Sequence, residues 1–393
     1  MLPFLKRKAK TLTGMDIGSS VVKCMRLDLS QEPPLITHFA MTDLAPEAIV
    51  DGEIMDRELV IRALQDCAEK ADLPKEPVAT AVSGRAVIVK KIVMDKMSEE
   101  DAREAIFWEA EQHVPFDIDD ITLDFQILDD DIGAGQMEIL LVAAKKDMVQ
   151  THAELIRDAG FMPTVIEVAS FANQNAWEFC QLQTQADAEP GEEAAKVPAD
   201  IEAELLDEPP LDEIDEGEEE EEADDGEFIA MLDVGGGVTN VHIVKNGVPY
   251  FTRDLPIGTS HFVEEFQKQL GLTYETANAV AHGSVDEVDA ELVTDIVRSV
   301  AEEIYQGLEP SLSYLKNSGE ADGIDRIVMS GGGARLPGLS EHLAESYDVP
   351  SEIADPLRDL DFVEGLFGDD DPDQLGPMLT VSVGLALRKG GER

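Results

Sequence analysis

Two segments of this chain repeat one arrangement: an apolar strand ends at an aspartate, turns through glycine, and is followed by a return strand carrying Ser or Thr. They are MDIGSSVVK at 15–23 and MLDVGGGVTN at 231–240. A third glycine turn, IVMSGGGARLPG at 327–338, follows another apolar strand. A single glycine turn is no more than a tight bend, but two Asp–Gly hairpins this far apart imply two similarly built halves. Glycine lets a phosphate chain approach the backbone, and successive N–H groups in such turns form an anion-binding concavity. The hydroxyls of Ser19, Ser20 and Thr239 and the ammonium of Lys23 add donors. Asp16 and Asp233 cannot face phosphate oxygens without repulsion, and a hard divalent cation between them removes the conflict. Magnesium is held in this way, by one or two carboxylates and substrate phosphates, with waters retained. The third turn, Gly331, Gly332 and Gly333, can present flat backbone to an adenine and ribose.

An acidic tract separates the halves. Residues 187–227 hold 21 Asp and Glu against the single Lys196, together with Pro190, Pro198, Pro209 and Pro210 and no aromatic until the next strand. Such a stretch buries too little apolar surface to offset its ordering entropy, so it is expected as a disordered linker. The whole chain has a formal charge of −53. That charge repels nucleic-acid phosphates, and no basic face relieves it, so nucleic-acid binding is excluded. Screening by salt would make such a charge tolerable. Cys24, Cys67 and Cys180 are odd in number and far apart, which supports neither a disulfide framework nor a thiolate zinc site and fits a reducing compartment. No apolar run reaches the length of a membrane span. Residues 1–10 form a basic segment with no signal-peptide run behind them.

The pattern along the chain is α/β. Helical spacing marks 56–72. Ser98 with Asp101 opens a helix of the capping-box kind running to about 113, where Pro115 stops it. Strict alternation predicts a strand over 121–127, another strand follows over 137–143, and a helix runs over 146–159. Downstream come a hairpin at 228–234 and 239–244, helices at 261–270, 274–282 and 286–316, a strand at 326–329, a helix at 338–347 and a last helix at 380–388. The expected domains are 11–183, with a self-pairing insert at about 85–160, and 228–378, with 379–393 returning to the first.

The paired Asp–Gly hairpins and the GG turn resemble the actin, sugar kinase and heat-shock chaperone ATPase superfamily, and the DIGSS form with the later GGG turn is similar to FtsA. AIFWEAEQHVPFDIDDITLDFQIL at 105–128 and MEILLVAAKKDMVQTHAELIRDAGFMPTVIEVASFANQNAW at 137–177 are more specific, and resemble the PilM family of type IV pilus assembly proteins. The resemblance implies an actin-like (ribonuclease H-like) two-lobed fold with a five-stranded sheet in each lobe, an FtsA-like inserted subdomain, and ATP with Mg2+ in the cleft. It places Asp16, Gly18, Ser19, Ser20 and Lys23 in the first phosphate motif, and Asp233, Gly235, Gly236, Gly237 and Thr239 in the second. Gly331, Gly332 and Gly333 fall in the adenosine motif. Glu167 falls where the superfamily has a residue that orients water near the γ-phosphate, though a helix cap between lobes is an equal reading. Where relatives carry Glu and Lys to hold the ribose and base, this chain offers Asn278 and Ala281. One lost hydrogen bond to a charged group weakens affinity by about one to two decades.

The same resemblance implies a cytoplasmic adaptor of the pilus machine behind twitching motility, peripheral to the inner membrane through a partner. It would bind the N-terminal cytoplasmic peptide of PilN and, indirectly, PilO and the inner-membrane platform. Phe107, Trp108 and Phe116 are candidate walls of that peptide's groove, or else core of the insert. Clamping ATP does not require turning it over, so weak or absent hydrolysis is compatible with the motifs. The alternatives are an FtsA-like division or filament protein and, third, a small-molecule kinase.

Overall fold

The computed structural model describes residues 10–50, 52–187, 226–283, 288–318 and 323–390. Most of the acidic tract and nearly all of the basic start lie outside them.

Two large sheets follow one plan. In the first, Met162–Val168 and Pro77–Val82 run parallel to Thr13–Ile17, which turns back antiparallel into Val21–Asp28 and again into Leu35–Asp43. In the second, Ser351–Ile353 and Arg326–Ser330 run parallel to Phe228–Val234, which turns into Thr239–Lys245 and Val248–Leu255. The repeated hairpins therefore occupy equivalent central places in two equivalent five-strand sets. The first sheet gains a sixth, two-residue strand, Asp361–Phe362, at its outer edge. The hairpins form where the sequence demands them: β-branched and apolar residues flank a glycine whose N–H closes the turn, Gly18 to Val21 O and Gly235 to Val238 O.

The insert is smaller than its expected bounds and less separate. Val87–Asp95, Gln136–Lys145 and Ile121–Asp129 form three antiparallel strands under the helix Glu99–His113, whose N-cap Ser98 accepts from the Asp101 N–H. Ala102, Ile106 and Ala110 on that helix bury against Ile92, Met137 and Leu141. The next helix, Lys146–Asp158, does not join this core; its Leu155 and Ile156 pack with Met15, Val22 and Leu64 of the first lobe. Nor does the insert pair only with itself, because Lys90 pairs with Phe251 and makes its strands continuous with the second sheet, eight strands in all.

Two helices pack against each other, of which the sequence pattern marked only the later one, at 380–388. Helix Ala169–Asp187 follows directly on the strand Met162–Val168 and runs between the two sheets. Helix Thr380–Leu387, buried over almost its whole length, crosses it so closely that a Cβ at Gly384 would collide with the Ala172 carbonyl. Among the described residues no helix is long and apolar enough to cross a membrane.

Candidate functional site

Cross-strand register decides which groups the hairpins bring together. Asp16 pairs with Lys23 across the first hairpin, and their side chains form an ion pair at 2.9 Å with both about one-seventh exposed. Burial opposes the Lys23 charge, but Asp16 and, beyond it, Asp233 outweigh that and hold the ammonium above its ordinary value. In the second hairpin Asp233 stands in register with Asn240 on one side and Ser330 on the other. Burial pushes the Asp233 carboxyl up to about 6; Lys23 lowers it, Asp16 raises it further, and the side chains of Asn240 and Ser330 pull it back. Asp16, Lys23 and Asp233, from opposite lobes, thus lie within one electrostatic neighbourhood.

The turns themselves touch. The Gly237 N–H donates to Ser19 Oγ at 2.9 Å, and a Cβ at Gly236 would collide with the Ser20 hydroxyl. Behind the second turn, the Thr259 and Ser260 N–H groups at the start of helix Thr259–Leu270 donate to the Gly235 and Gly236 carbonyls. The third turn closes the group. Gly331 has φ of 83°, its N–H donates to the Pro377 carbonyl, and a Cβ there would collide with Asp233 Oδ1. Only glycine allows this approach of backbone to carboxylate.

Five expected donors turn out to be engaged. Thr239 is fully buried and its hydroxyl donates to the Ile257 carbonyl at 2.7 Å, so it fixes the hairpin instead of facing the cleft. The N–H groups of Gly18, Gly235 and Gly237 are spent within or between the turns. Lys23 is paired with Asp16. Ser20, at the turn tip, is exposed.

Glu167 sits at the end of its strand, buried. One oxygen accepts from Arg388 at 2.9 Å and Asn175 at 3.3 Å, while Oε2 is buried without a partner among the described residues. Burial raises its carboxyl, against the pull of Arg388. Asn278 is half-buried on helix Tyr274–Ala281 with Ala281 in the core beside it, and among the described residues no hydrogen bond ties its side chain to the three turns. Phe116 belongs to the insert's core margin, under the Lys145 ammonium. Phe107 and Trp108 do not: they are 45% and 72% exposed on the outer face of helix Glu99–His113.

Sequence reasoning missed the residues around Asp233. Asn240 lies seven positions after the aspartate, a spacing that a two-strand hairpin with a tight turn returns to register, and this could have been read. Ser330 precedes the third glycine turn and could have been read in the same way. Asn173, whose Nδ2 donates to Ser330 Oγ at 2.8 Å, arrives from helix Ala169–Asp187, and no local pattern announces that contact. Both Asn173 Oδ1 and Asn240 Oδ1 are buried acceptors without partners among the described residues. An excess of carboxylate and amide oxygens against one ammonium suits a hard, oxygen-seeking cation. Among the described residues no three His, Cys, Asp or Glu side chains converge as a closed metal site.

Two five-strand sets of one plan, facing each other through Asp–Gly hairpins, define an actin-like two-lobed protein. The family model described as type IV pilus assembly protein PilM matches residues 14–204 and 219–390, most of the chain, and the protein belongs to that family. A solved PilM-PilN type IV pilus biogenesis complex is similar at 24% identity and a TM-score of 0.74, covering 98% of this chain and all of that one. The ethanolamine utilization protein EutJ from Carboxydothermus hydrogenoformans is similar at 14% identity and a TM-score of 0.50, covering 98% and 93%. The cell division protein FtsA of Borreliella burgdorferi is 24% identical over 185 residues. That match takes in 41% of this chain, which spans only 42% of the length of this curated relative.

Proposed function

We propose that this protein is a cytoplasmic, nucleotide-binding adaptor of type IV pilus assembly, which binds the N-terminal peptide of PilN and through it reaches PilO and the inner-membrane platform. One observation carries the nucleotide part: the Asp16–Lys23 pair and the Asp233 carboxylate come from opposite lobes to one place, against three glycine turns. The turns would hold ATP, with the third turn toward the adenosine. Magnesium, when bound, neutralises the charge between phosphates and carboxylates; Asp16 and Asp233 would hold it through water, and the surplus of oxygen acceptors supports that fit. Because Gly237 N–H bonds Ser19 Oγ, phosphate entry exchanges that bond for one to ligand. Glu167 remains the candidate for orienting a water, through its unpartnered Oε2.

The partner part is supported by membership of the family and by the two rings that helix Glu99–His113 leaves in water. Burying an exposed Trp side chain against an apolar peptide residue is the typical central contact of such grooves. Isothermal titration tests both. Adenine nucleotide with Mg2+ should bind wild type and not Asp233→Ala, and a PilN N-terminal peptide should lose about tenfold in affinity for Trp108→Ala. Heat-silent titrations with both ATP and ADP, and no competition between them and a labelled adenine nucleotide, remove the first claim; an unaltered peptide affinity clears Trp108 of the role.

A further inference from the structure

Helix Ala169–Asp187 grows out of a first-lobe strand yet sends Asn173, Gln174 and Trp177 to the second sheet. Asn173 donates to Ser330 Oγ. Gln174 donates to the Gly247 carbonyl, and its Oε1 accepts from His242 Nε2 at 2.7 Å. Trp177 Nε1 donates to Glu352 at 3.0 Å. Only the first of these reaches toward the hairpin carboxylates. Ser330 is Asp233's register partner and its side chain acts on that carboxylate, so the chain of contacts runs Asn173, Ser330, Asp233. Asn173 is 3% exposed and Ser330 1%, so the contact lies away from bulk solvent. With its oxygen occupied as acceptor for the Asn173 amide, the hydroxyl hydrogen is free to turn to Asp233.

We infer that Asn173 is a positioning residue for Asp233: it sets, through Ser330, the alignment of the second-lobe carboxylate toward the magnesium of a bound nucleotide. The inference rests on the nucleotide reading above. It also ties that alignment to lobe placement, because the residue that holds Ser330 moves with the element continuing from Glu167. Lobe opening then loosens the carboxylate without touching the hairpin, whereas a second-lobe residue in the same role would hold it in every state.

The test is the gain in ADP affinity on adding Mg2+, measured by isothermal titration in Mg2+ and in EDTA. Asn173→Ala should bind ADP in EDTA as wild type does, while its Mg2+-dependent gain falls about three- to tenfold, the worth of one buried neutral hydrogen bond. Ser330→Ala should do the same, and the double variant should be no worse than either, since both remove one link. Trp177→Phe is the comparison: it cuts a bond from the same helix to the same sheet, away from Asp233, and should keep the full Mg2+ gain whatever it costs in melting temperature. An unchanged gain in Asn173→Ala, or an equal loss in Trp177→Phe, overturns the inference. Wild-type protein that binds ADP but gains nothing from Mg2+ overturns it alone, leaving the nucleotide reading in place. Wild-type protein that binds ADP in neither buffer overturns that reading and the inference with it.

Discussion

Asp233 is a residue the fold keeps at a cost. Its carboxyl is pushed from 3.8 to about 6, chiefly by burial. A carboxyl raised in the folded state favours folding most below the unfolded value, and that advantage is lost as pH rises through about 6. At neutral pH the ionised group therefore weighs against the folded protein by about 3 kcal/mol, a shift of one unit being worth about 1.4 kcal/mol. Replacement by asparagine keeps the shape and removes the charge. Asp233→Asn should melt higher than wild type above pH 7, with the difference fading toward pH 4, as followed by thermal denaturation across that range without nucleotide. A difference that stays constant with pH would mean that the gain is packing, not charge. Such a residue is retained where its charge is used, and stability recovered by removing it is the usual mark of a functional carboxylate. The aspartates and glycines of this site were legible in the sequence because each obeys a local rule: the turn that needs no Cβ, the strand end that carries a charge. Thr239 was legible as a hydroxyl but not as a spent one, since its partner, the Ile257 carbonyl, lies past the next strand.

Among the elements, those with one wet face declared themselves. Helix Glu99–His113 has its Ser98 cap, acidic first turn and buried Ala102, Ile106 and Ala110, and the strand Ile121–Asp129 alternates buried and exposed as the sequence alternates apolar and polar. Helix Ala169–Asp187 escaped for the opposite reason. It is enclosed by two sheets and a second helix, so its residues near the chain's centre, Ala172, Asn173, Gln174 and Ala176, are all buried and show no amphipathic period. The crossing with Thr380–Leu387 gives a sharp prediction. Alanine at Gly384 gains about 1 kcal/mol of helix propensity, but its methyl must enter the Ala172 backbone, which cannot yield as a side-chain tip can. Overpacking of this kind costs about 3 kcal/mol or more, so steric cost wins. Gly384→Ala should lower the urea midpoint with an unchanged m-value; a neutral or raised midpoint would mean that the two helices part without strain. The free strand-to-strand link between insert and second lobe, Lys90 with Phe251, was equally invisible, because pairing between distant strands leaves no periodic trace in either.

At the scale of the molecule the governing quantity is the charge of −53. Its acidic residues outnumber the basic ones so heavily that most cannot find a cation, and the ion pairs that do form are largely surface contacts such as Arg103 with Glu99 and Arg62 with Glu58, each worth under about 1 kcal/mol. Repulsion among the remaining carboxylates opposes the compact state over distances of several residues. Salt shortens that reach: the screening length falls from about 30 Å at 0.01 M to about 3 Å at 1 M, below the spacing of most surface charges but not of the buried contacts. Two effects then compete as salt is added. The few attractive pairs weaken by tenths of a kcal/mol each, whereas the repulsive sum, which grows with the square of the net charge, collapses. The repulsive term must dominate at this imbalance, so the melting temperature should climb steadily from 10 mM to 1 M NaCl in wild-type protein. The same series run on protein with several exposed Glu residues outside those pairs changed to Gln, Glu104 and Glu341 among them, should show a shallower climb from a higher start. A melting temperature that falls on moving to molar NaCl would mean that the attractive pairs, few as they are, hold the fold against its own charge.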